Sequence, residues 1–478
     1  MKKITVILTL VALILGIAGC GEKKQSTETP ALQVGYSRVL INPSESIPMS
    51  GYGNHSQRFS QDIIDDLYAT CIAITDTDGN TVLLMTTDIA VGYTSVTDPA
   101  RQLISQHYGV PYENIYISGT HTHSGPAIGY TDNAAMAAYM EQLVNWMAQA
   151  GQEALDDRAP ATLYTGSVET EGMNFTRHYI ARDKLNGQTS VIGDNFGSGT
   201  SKVLEGHTSE ADPTMHLVKF AREGRKDIVL ANWRAHPHFT GGSSAYNLSS
   251  DFVGTFRAAM ETLYPCDFAY FQGAAGNINE NSRIASEEAC AEYRTYGSTL
   301  AKYAIQGLEN MSPVSGNTIS ATQIPFEATI NHTFDDLYYQ AREVQVVWQS
   351  TYDSTQTMAV AEPYGIRSPY HADAIISNRN LPETQTIKLN AVRIGNELSF
   401  VTFPGEYFDM NSVYVEENSP FNTTLFLGYC NDHYGYMPAK LAYEYTSYET
   451  DITRFAEGTA EQVRDTYVQS LSELFENK

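Results

Sequence analysis

Short β-rich segments alternate with amphipathic helical segments along most of this chain, and this alternation limits the fold more than any other feature. Residues 134–155 carry apolar side chains at helical spacing on one face, which predicts a helix packed on a core. Further helices are predicted at 285–309, 333–349 and 459–476. Runs rich in β-branched and aromatic residues predict strands at 114–118, 227–233, 266–271, 386–394 and 398–403 and a hairpin at 70–88.

This pattern predicts an α/β (α+β) fold with central mixed β-sheets flanked by helices. No linker-like segment divides residues 33–478, so we expect one large domain there. The formal net charge of −25 leaves no extended basic surface for a phosphate backbone, and nucleic acid is therefore not an expected partner.

The N-terminus has the pattern of a bacterial lipoprotein signal. Lys2 and Lys3 precede an apolar run that ends in Gly19 and Cys20. We expect residues 1–19 to be removed and Cys20 to be lipidated, with residues 20–32 as a flexible tether. An ordinary secretory signal or an uncleaved anchor is the alternative. Each of these interpretations places the protein outside the cytoplasm, and the lipoprotein interpretation also anchors it to the membrane by lipid.

The remaining cysteines do not form a C-x-x-C pair, which argues against a thiolate zinc site. Buried free thiols are favoured over a single disulfide. These cysteines are Cys71, Cys266, Cys290 and Cys430.

Two histidines, His121 and His123, follow the strand predicted at 114–118. If the chain stays extended there, their side chains point the same way, and neutral imidazole is a common zinc ligand. An H-x-H pair alone is a weak signal. A metallo-β-lactamase would need Asp and His where Gly125 and Pro126 stand, and neither a helical H-E-x-x-H nor a serine-hydrolase G-x-S-x-G occurs in the sequence.

Further motifs accompany the histidine pair in a fixed order. They are THTHSGP at 120–126, NWRAHPH at 232–238, SSDFVG at 249–254, FPGE at 403–406 and a tyrosine cluster at 429–448. Together with MSGYG at 49–53 and LYA at 67–69, this set resembles the catalytic domain of the neutral/alkaline non-lysosomal ceramidase family over nearly all of residues 33–455.

The resemblance implies a set of site residues. The family's zinc ligands align with His121, His236, Glu406 and Tyr436, and its substrate-contacting residues align with His123 and Tyr448. Tyr434 and Tyr429 are alternatives to Tyr436. The family's active-site arginine directly follows an asparagine, whereas two residues separate Asn174 from Arg177 here, so Arg177 is the candidate and Arg182 the alternative.

Two departures from the family pattern affect what the resemblance implies. The family's GDVSPN segment reads GNINEN at 276–281, so Asn279 replaces its serine and we expect no seryl intermediate. The chain ends about thirty residues after Tyr448, which implies that the family's C-terminal β-sandwich-like domain is absent.

The expected activity is zinc-dependent hydrolysis of the N-acyl bond of ceramide or a related N-acyl lipid, with one Zn²⁺ per chain. The alternatives are a zinc hydrolase of a different amide or ester, and a non-catalytic lipoprotein that binds a ligand at the cell surface.

Overall fold

The structure, a computed structural model, describes residues 32–52, 57–193, 201–242, 245–281 and 292–477. The predicted signal peptide 1–19, Cys20 and the tether up to residue 31 lie outside the described residues, as does Cys290. Leu32, assigned to the tether by the sequence, is already a buried residue of the first strand.

The described part of the chain contains strands and helices with the following bounds. The strands are β1 (Leu32–Leu40), β2 (Asp62–Ile63), β3 (Tyr68–Thr75), β4 (Thr81–Thr87), β5 (Ile115–Gly119), β6 (Ala159–Glu169), β7 (Asn174–Thr176), β8 (His178–Asp183), β9 (Thr189–Gly193), β10 (Lys202–His207), β11 (Thr214–Arg222), β12 (Asp227–Trp233), β13 (Asn247–Leu248), β14 (Cys266–Gln272), β15 (Ile278–Glu280), β16 (Ser312–Pro313), β17 (Ile319–Thr329), β18 (Thr384–Ile394), β19 (Leu398–Thr402), β20 (Glu406–Tyr407), β21 (Thr423–Leu427) and β22 (Tyr436–Met437). The helices are α1 (Thr94–Tyr108), α2 (Ala134–Asp156), α3 (Asp251–Leu263), α4 (Tyr293–Leu308), α5 (Tyr338–Thr351), α6 (Ser354–Ala361), α7 (Pro369–Asn378), α8 (Asp409–Asn418), α9 (Tyr448–Ile452) and α10 (Thr459–Glu476).

The predicted strands and helices are present, with shifts of a few residues at their ends. The hairpin at 70–88 forms from β3 and β4, whose turn is held by the Asp76 carboxylate, which accepts from the backbone N–H groups of Asp78 and Asn80 at 2.9 and 2.8 Å. Gly79 in this turn has φ 89, a value that glycine adopts without steric cost. The helix predicted at 285–309 begins at Tyr293 in the described residues.

The largest sheet has the strand order β14-β12-β11-β6-β1-β3-β4-β5, and β16 pairs with β6. It is mixed, because β12 and β14 are parallel, β4 and β5 are parallel, and the other neighbours along this order are antiparallel. A second mixed sheet has the order β17-β18-β19-β21. The predicted α/β fold with mixed sheets is therefore confirmed.

Three hydrophobic layers hold these elements together. The apolar side chains of α1 to α4 pack on one face of the large sheet. Its other face packs on the second sheet, through side chains such as Ile72, Phe271 and Val392. The far face of the second sheet packs on α8 and α10. The result is a helix–sheet–sheet–helix arrangement, in which burial of apolar surface between layers supplies the main stabilising term.

The segment between β17 and β18 adds three helices, α5 to α7, that we call the helical insert (residues 338–378). Its own apolar side chains, among them Val344, Ile366 and Ile375, form a separate small core. Helix α7 contacts α9, which places the helical insert beside the tyrosine cluster.

Cys71, Cys266 and Cys430 are free and buried, as expected. No helix in the described residues is long and apolar enough to cross a bilayer.

Candidate functional site

The loops that follow β5, β12, β19 and β21 meet at one place. The backbone N–H of His123 donates to Pro237 O at 3.0 Å, and the N–H of Tyr429 donates to Gly405 O at 3.2 Å. The short parallel pair β20 and β22 brings Glu406 directly beside Tyr436. Main-chain hydrogen bonds between segments far apart in sequence therefore assemble the predicted site residues.

His121 lies at the floor of this site with a left-handed backbone, φ 68. The expected extended conformation is therefore wrong at this residue. An extended continuation of β5 would not place the His121 side chain in this position. Its backbone N–H donates to Ile89 O at 3.0 Å, and its Nδ1 donates to Ala90 O at 2.9 Å. A non-glycine residue at positive φ is uncommon and is concentrated at functional sites.

His236 is fully buried and is fixed in the same way. Its Nδ1 donates to Ile278 O at 2.9 Å. Because a carbonyl only accepts, Nδ1 carries a proton in each ring, and in a neutral imidazole Nε2 then offers a lone pair, which at His236 lies 3.4 Å from Arg177 Nη1. A backbone carbonyl that accepts from Nδ1 fixes the orientation of the ring, as is common for histidines that bind a metal through Nε2.

Glu406 points its carboxylate at both imidazoles. Its Oε2 lies 3.3 Å from His121 Nε2 and 3.4 Å from His236 Nε2, and it has no hydrogen-bond donor in the described residues. Two imidazole nitrogens and a carboxylate oxygen thus converge in a buried space beside the Arg177 guanidinium, an arrangement that a bound cation would stabilise further. The donor set fits a zinc ion, which binds imidazole and carboxylate.

His123 is also close to this group. Its Nε2 lies 3.2 Å from His121 Nε2, and His121, His123 and His236 each offer a nitrogen within 4.8 Å of the others. The Nδ1 of His123 is buried and has no partner in the described residues. Burial, followed by the neighbouring imidazoles, holds the pKa of His123 well below its usual value, which favours the neutral ring.

The tyrosines of the cluster take different positions. Tyr436 contacts the site, and its hydroxyl accepts from Arg177 Nη2 at 3.2 Å. Tyr429 instead stacks on the His121 ring, with centroids 4.1 Å apart. Tyr434 faces another cavity, and Tyr448 lines the site and makes an edge contact with Tyr436 at 5.9 Å. The geometry therefore favours Tyr436 over its two alternatives as the tyrosine beside the cation position.

Arg177 enters the site and Arg182 does not. Arg177 Nε donates to Glu449 Oε1 at 2.7 Å, and its Nη1 lies 3.4 Å from His236 Nε2. Arg182 pairs with Glu205 at the surface, where its side chain is 44% exposed. The Arg177 side chain is 6% exposed, and its charge is paired with the buried carboxylate of Glu449.

Sequence analysis missed several residues that support the site. Glu449 also accepts from His178 Nε2 at 2.8 Å, and its contacts with Arg177 and His178 lower its pKa strongly despite the raising effect of burial. His433 lines the same cavity, with its Nε2 3.8 Å from Glu406 Oε1. The only sequence signal for His433 was its place within the tyrosine cluster.

We expect Glu449→Gln to destabilise the protein by about 3 kcal/mol, because it leaves the buried Arg177 without its counter-charge. The shift of the urea unfolding midpoint, at unchanged slope, measures this effect. Glu205→Gln, which removes the surface partner of Arg182, is the matched control and should cost less than about 1 kcal/mol. Equal shifts for the two variants would contradict this expectation.

A cavity of about 650 Å³ opens above the cluster. Its floor carries His121, His123 and Glu406, and its walls include Tyr436 and Tyr448. Apolar residues complete the lining, among them Val91, Pro126, Ala127 and Ile128. A concave, largely apolar space with a few convergent polar groups is the usual form of a small-molecule site.

Sequence comparison finds relatives for part of the chain. Residues 33–264 match the family described as neutral/alkaline non-lysosomal ceramidase, N-terminal. Neutral ceramidase 2 of Arabidopsis thaliana is 26% identical over 236 residues, covering 47% of this chain and 29% of that protein. Neutral ceramidase B of Dictyostelium discoideum is 23% identical over 241 residues, covering 46% and 33%. The matched region thus spans about a third of these curated relatives.

Structural comparison covers more of the chain. The crystal structure of neutral ceramidase from Pseudomonas aeruginosa is similar with a TM-score of 0.69 at 16% identity, covering 94% of this chain and 75% of that one. A ceramidase complexed with C2 gives a TM-score of 0.68 at 15% identity, with 94% and 76% covered. At such identities the likeness establishes the fold.

Proposed function

The chain is related to the neutral/alkaline non-lysosomal ceramidases, and on that premise we propose that it is a zinc-dependent hydrolase of the N-acyl bond of ceramide or a related N-acyl lipid. The observation that carries this proposal is the convergence of the lone pairs of His121, His236 and Glu406 at the floor of a largely apolar cavity.

His121, His236, Glu406 and Tyr436 would hold one zinc ion. When bound, zinc supplies a Lewis acid for the amide carbonyl and for the attacking water. In the reaction, the water oxygen forms a bond to the acyl carbon, the C–N bond breaks, and the nitrogen leaves as an amine with one added proton.

The protein's own groups move the proton and stabilise the developing charge. His123, neutral and beside the floor of the cavity, would accept a proton from water and return it to the leaving nitrogen. Tyr448 would donate a hydrogen bond to the carbonyl oxygen as it becomes negative. Arg177 would orient Tyr436 through the hydrogen bond between them.

The apolar wall favours a substrate with a hydrocarbon portion. Residues such as Val91 and Ile128 offer no hydrogen bonds to a polar substituent, so an acyl chain is the portion that gains most by burial there. The second candidate is hydrolysis of a different amide or ester, which the same cation position supports. A binding protein without catalysis would not need a carboxylate and imidazoles that converge in this way.

The first test is metal content together with turnover. We expect residues 21–478, purified without chelators, to carry about one zinc per chain and to release fatty acid from fluorescent short-chain ceramide. Chelation should abolish this release and added zinc should restore it, because the metal polarises the scissile carbonyl. Elemental analysis and product chromatography provide the measurements. A protein free of transition metal, or turnover unchanged by chelation, would contradict the proposal.

We also propose that Cys20 carries lipid and holds the enzyme at the outer side of the cell membrane, near an N-acyl lipid substrate. The support is the sequence of residues 1–20 alone. Radiolabelled palmitate should be incorporated into the wild-type chain and not into Cys20→Ala.

A further inference from the structure

A second cavity, of about 320 Å³, adjoins the first, and the two share the lining residues Gly435, Tyr448 and Ile452. Helix α7 of the helical insert forms one of its walls. Tyr448, the proposed donor to the amide oxygen, therefore stands between the two cavities. A substrate whose amide lies beside Tyr448 can extend one portion into each cavity.

The two cavities differ in chemistry. Both have apolar lining, which in the second includes Ala374, Leu381 and Ile452, but of the two only the second is lined by an arginine among the described residues, Arg454, with Asp373 and Asn378 beside it. An anionic group therefore gains more in the second cavity. The amine portion of the substrate therefore belongs in the second cavity.

Arg454 has no carboxylate contact to offset its charge. Its Nη1 donates to Gln385 Oε1 at 3.3 Å, and its guanidinium carbon lies 5.5 Å from the centroid of the Tyr434 ring. None of the ion pairs among the described residues includes Arg454. Partial burial of a guanidinium against neutral groups costs free energy, and an anionic ligand would recover it.

Two carboxylates lie in this region, but neither forms an ion pair with Arg454. Asp432 is hydrogen-bonded to Tyr434, and its effect on Arg454 is exerted through space. Asp373 is exposed, so solvent screens its charge. Neither carboxylate forms an ion pair with Arg454, and the bond to Gln385 is the one hydrogen bond that its guanidinium makes among the described residues.

The backbone around Arg454 is firmly placed. The hydroxyl of Thr453 donates to Tyr436 O at 2.8 Å, and Asn378 Nδ2 of α7 donates to Thr453 O at 3.0 Å. The N–H of Asn331 donates to Arg454 O at 2.8 Å. Three separate segments thus hold this loop, and little ordering is required when a ligand binds.

From these observations we propose that Arg454 recognises an anionic group on the amine portion of the substrate, so that the substrate class is N-acyl amines whose amine carries a carboxylate, phosphate or sulfonate. This inference rests on the proposed amide hydrolysis. A guanidinium can donate two parallel hydrogen bonds to such a group, which gives both affinity and orientation.

The test compares matched substrates that share a dodecanoyl chain. N-dodecanoyl glycine carries a carboxylate, N-dodecanoyl taurine a sulfonate, N-dodecanoyl phosphoethanolamine a phosphate, and N-dodecanoyl ethanolamine is neutral. We expect the zinc-loaded protein to prefer at least one anionic substrate, and Arg454→Met to lower kcat/KM for it by about 10- to 100-fold, the usual contribution of hydrogen bonds to a charged group. The neutral substrate should be unaffected, and Arg454→Lys should retain part of the preference.

Binding provides a readout that does not depend on turnover. Sulfonamide analogues of the same compounds, in which an SO₂ group replaces the carbonyl, are not hydrolysed, and calorimetry of the zinc-loaded protein gives their Kd. Arg379→Met is the matched control, because Arg379 lies at the exposed end of α7 outside both cavities and its side chain is 55% exposed. It should leave every Kd unchanged.

The outcomes separate the two levels of the proposal. Equal affinity of the wild-type protein for anionic and neutral analogues, or equal losses for both in Arg454→Met, would overturn the role of Arg454. A preserved anion preference in binding, without hydrolysis of any N-acyl substrate by the zinc-loaded protein, would overturn the proposed hydrolysis and leave the anion subsite in place.

Discussion

His236→Ala should remove zinc from the protein and with it all measurable hydrolysis. The imidazole is fully buried, its Nδ1 is held by Ile278 O, and its Nε2 lies 3.4 Å from Glu406 Oε2, so its loss removes a ligand atom that is already oriented towards the cation position. Partners that only orient a zinc ligand contribute about 10- to 100-fold to metal affinity, so loss of the ligand itself should exceed about 10²-fold. Zinc per chain after dialysis, measured beside turnover, checks this result.

His238→Ala is the matched control for this variant. His238 is two residues further along the same loop, but its Nδ1 lies 3.0 Å from Glu280 Oε1 and not beside the carboxylate of Glu406. This variant should keep about one zinc per chain. If His238→Ala loses the metal and His236→Ala keeps it, the assignment of the ligand set is wrong.

Tyr448→Phe should retain zinc and lose about 10²- to 10³-fold in kcat, the usual cost of removing one donor to a developing oxyanion. The loss should fall on kcat more than on KM, because the hydrogen bond strengthens as the carbonyl becomes tetrahedral. Tyr448 lines the cavity and is not placed beside Glu406 by strand pairing, as Tyr436 is. Metal content and steady-state kinetics on the best N-acyl substrate give the two quantities.

Tyr436→Phe is the variant to be compared with Tyr448→Phe. Tyr436 pairs with Glu406 through β20 and β22, and its hydroxyl accepts from Arg177. Its replacement should weaken zinc retention and reduce activity together. Retention of zinc in Tyr436→Phe with loss of zinc in Tyr448→Phe would reverse the roles assigned to the two tyrosines.

The proposed role of Arg454 in binding an anionic group affects whether ceramide is the natural substrate. Ceramide has a neutral amine portion. A strong preference for an anionic group would therefore mean that the natural substrate of this chain differs from the ceramide after which its relatives are named. The fold likeness to Pseudomonas aeruginosa neutral ceramidase is compatible with either result, because a fold does not determine the groups that line its site.

The local sequence determined the elements of the fold. The hairpin at 70–88, α2 and α10 follow from periodicity and turn residues, because these patterns depend on contacts between near neighbours or on one buried face. The family resemblance carried by the ordered motifs also predicted that His121, His236 and Glu406 share a site, and the structure brings these three side chains together.

Only the tertiary structure decided which of several similar residues enters the site. Arg177 and Arg182 are five residues apart, yet only Arg177 meets Glu449, 272 positions further along the chain. Tyr436 and Tyr434 are separated by Gly435, whose φ of 78 turns the chain between them. The left-handed backbone of His121 and the unmatched charge of Arg454 likewise depend on contacts between distant segments. Periodicity reports which face of an element is buried, whereas a site depends on which distant atoms face one another, and chain packing alone supplies that information.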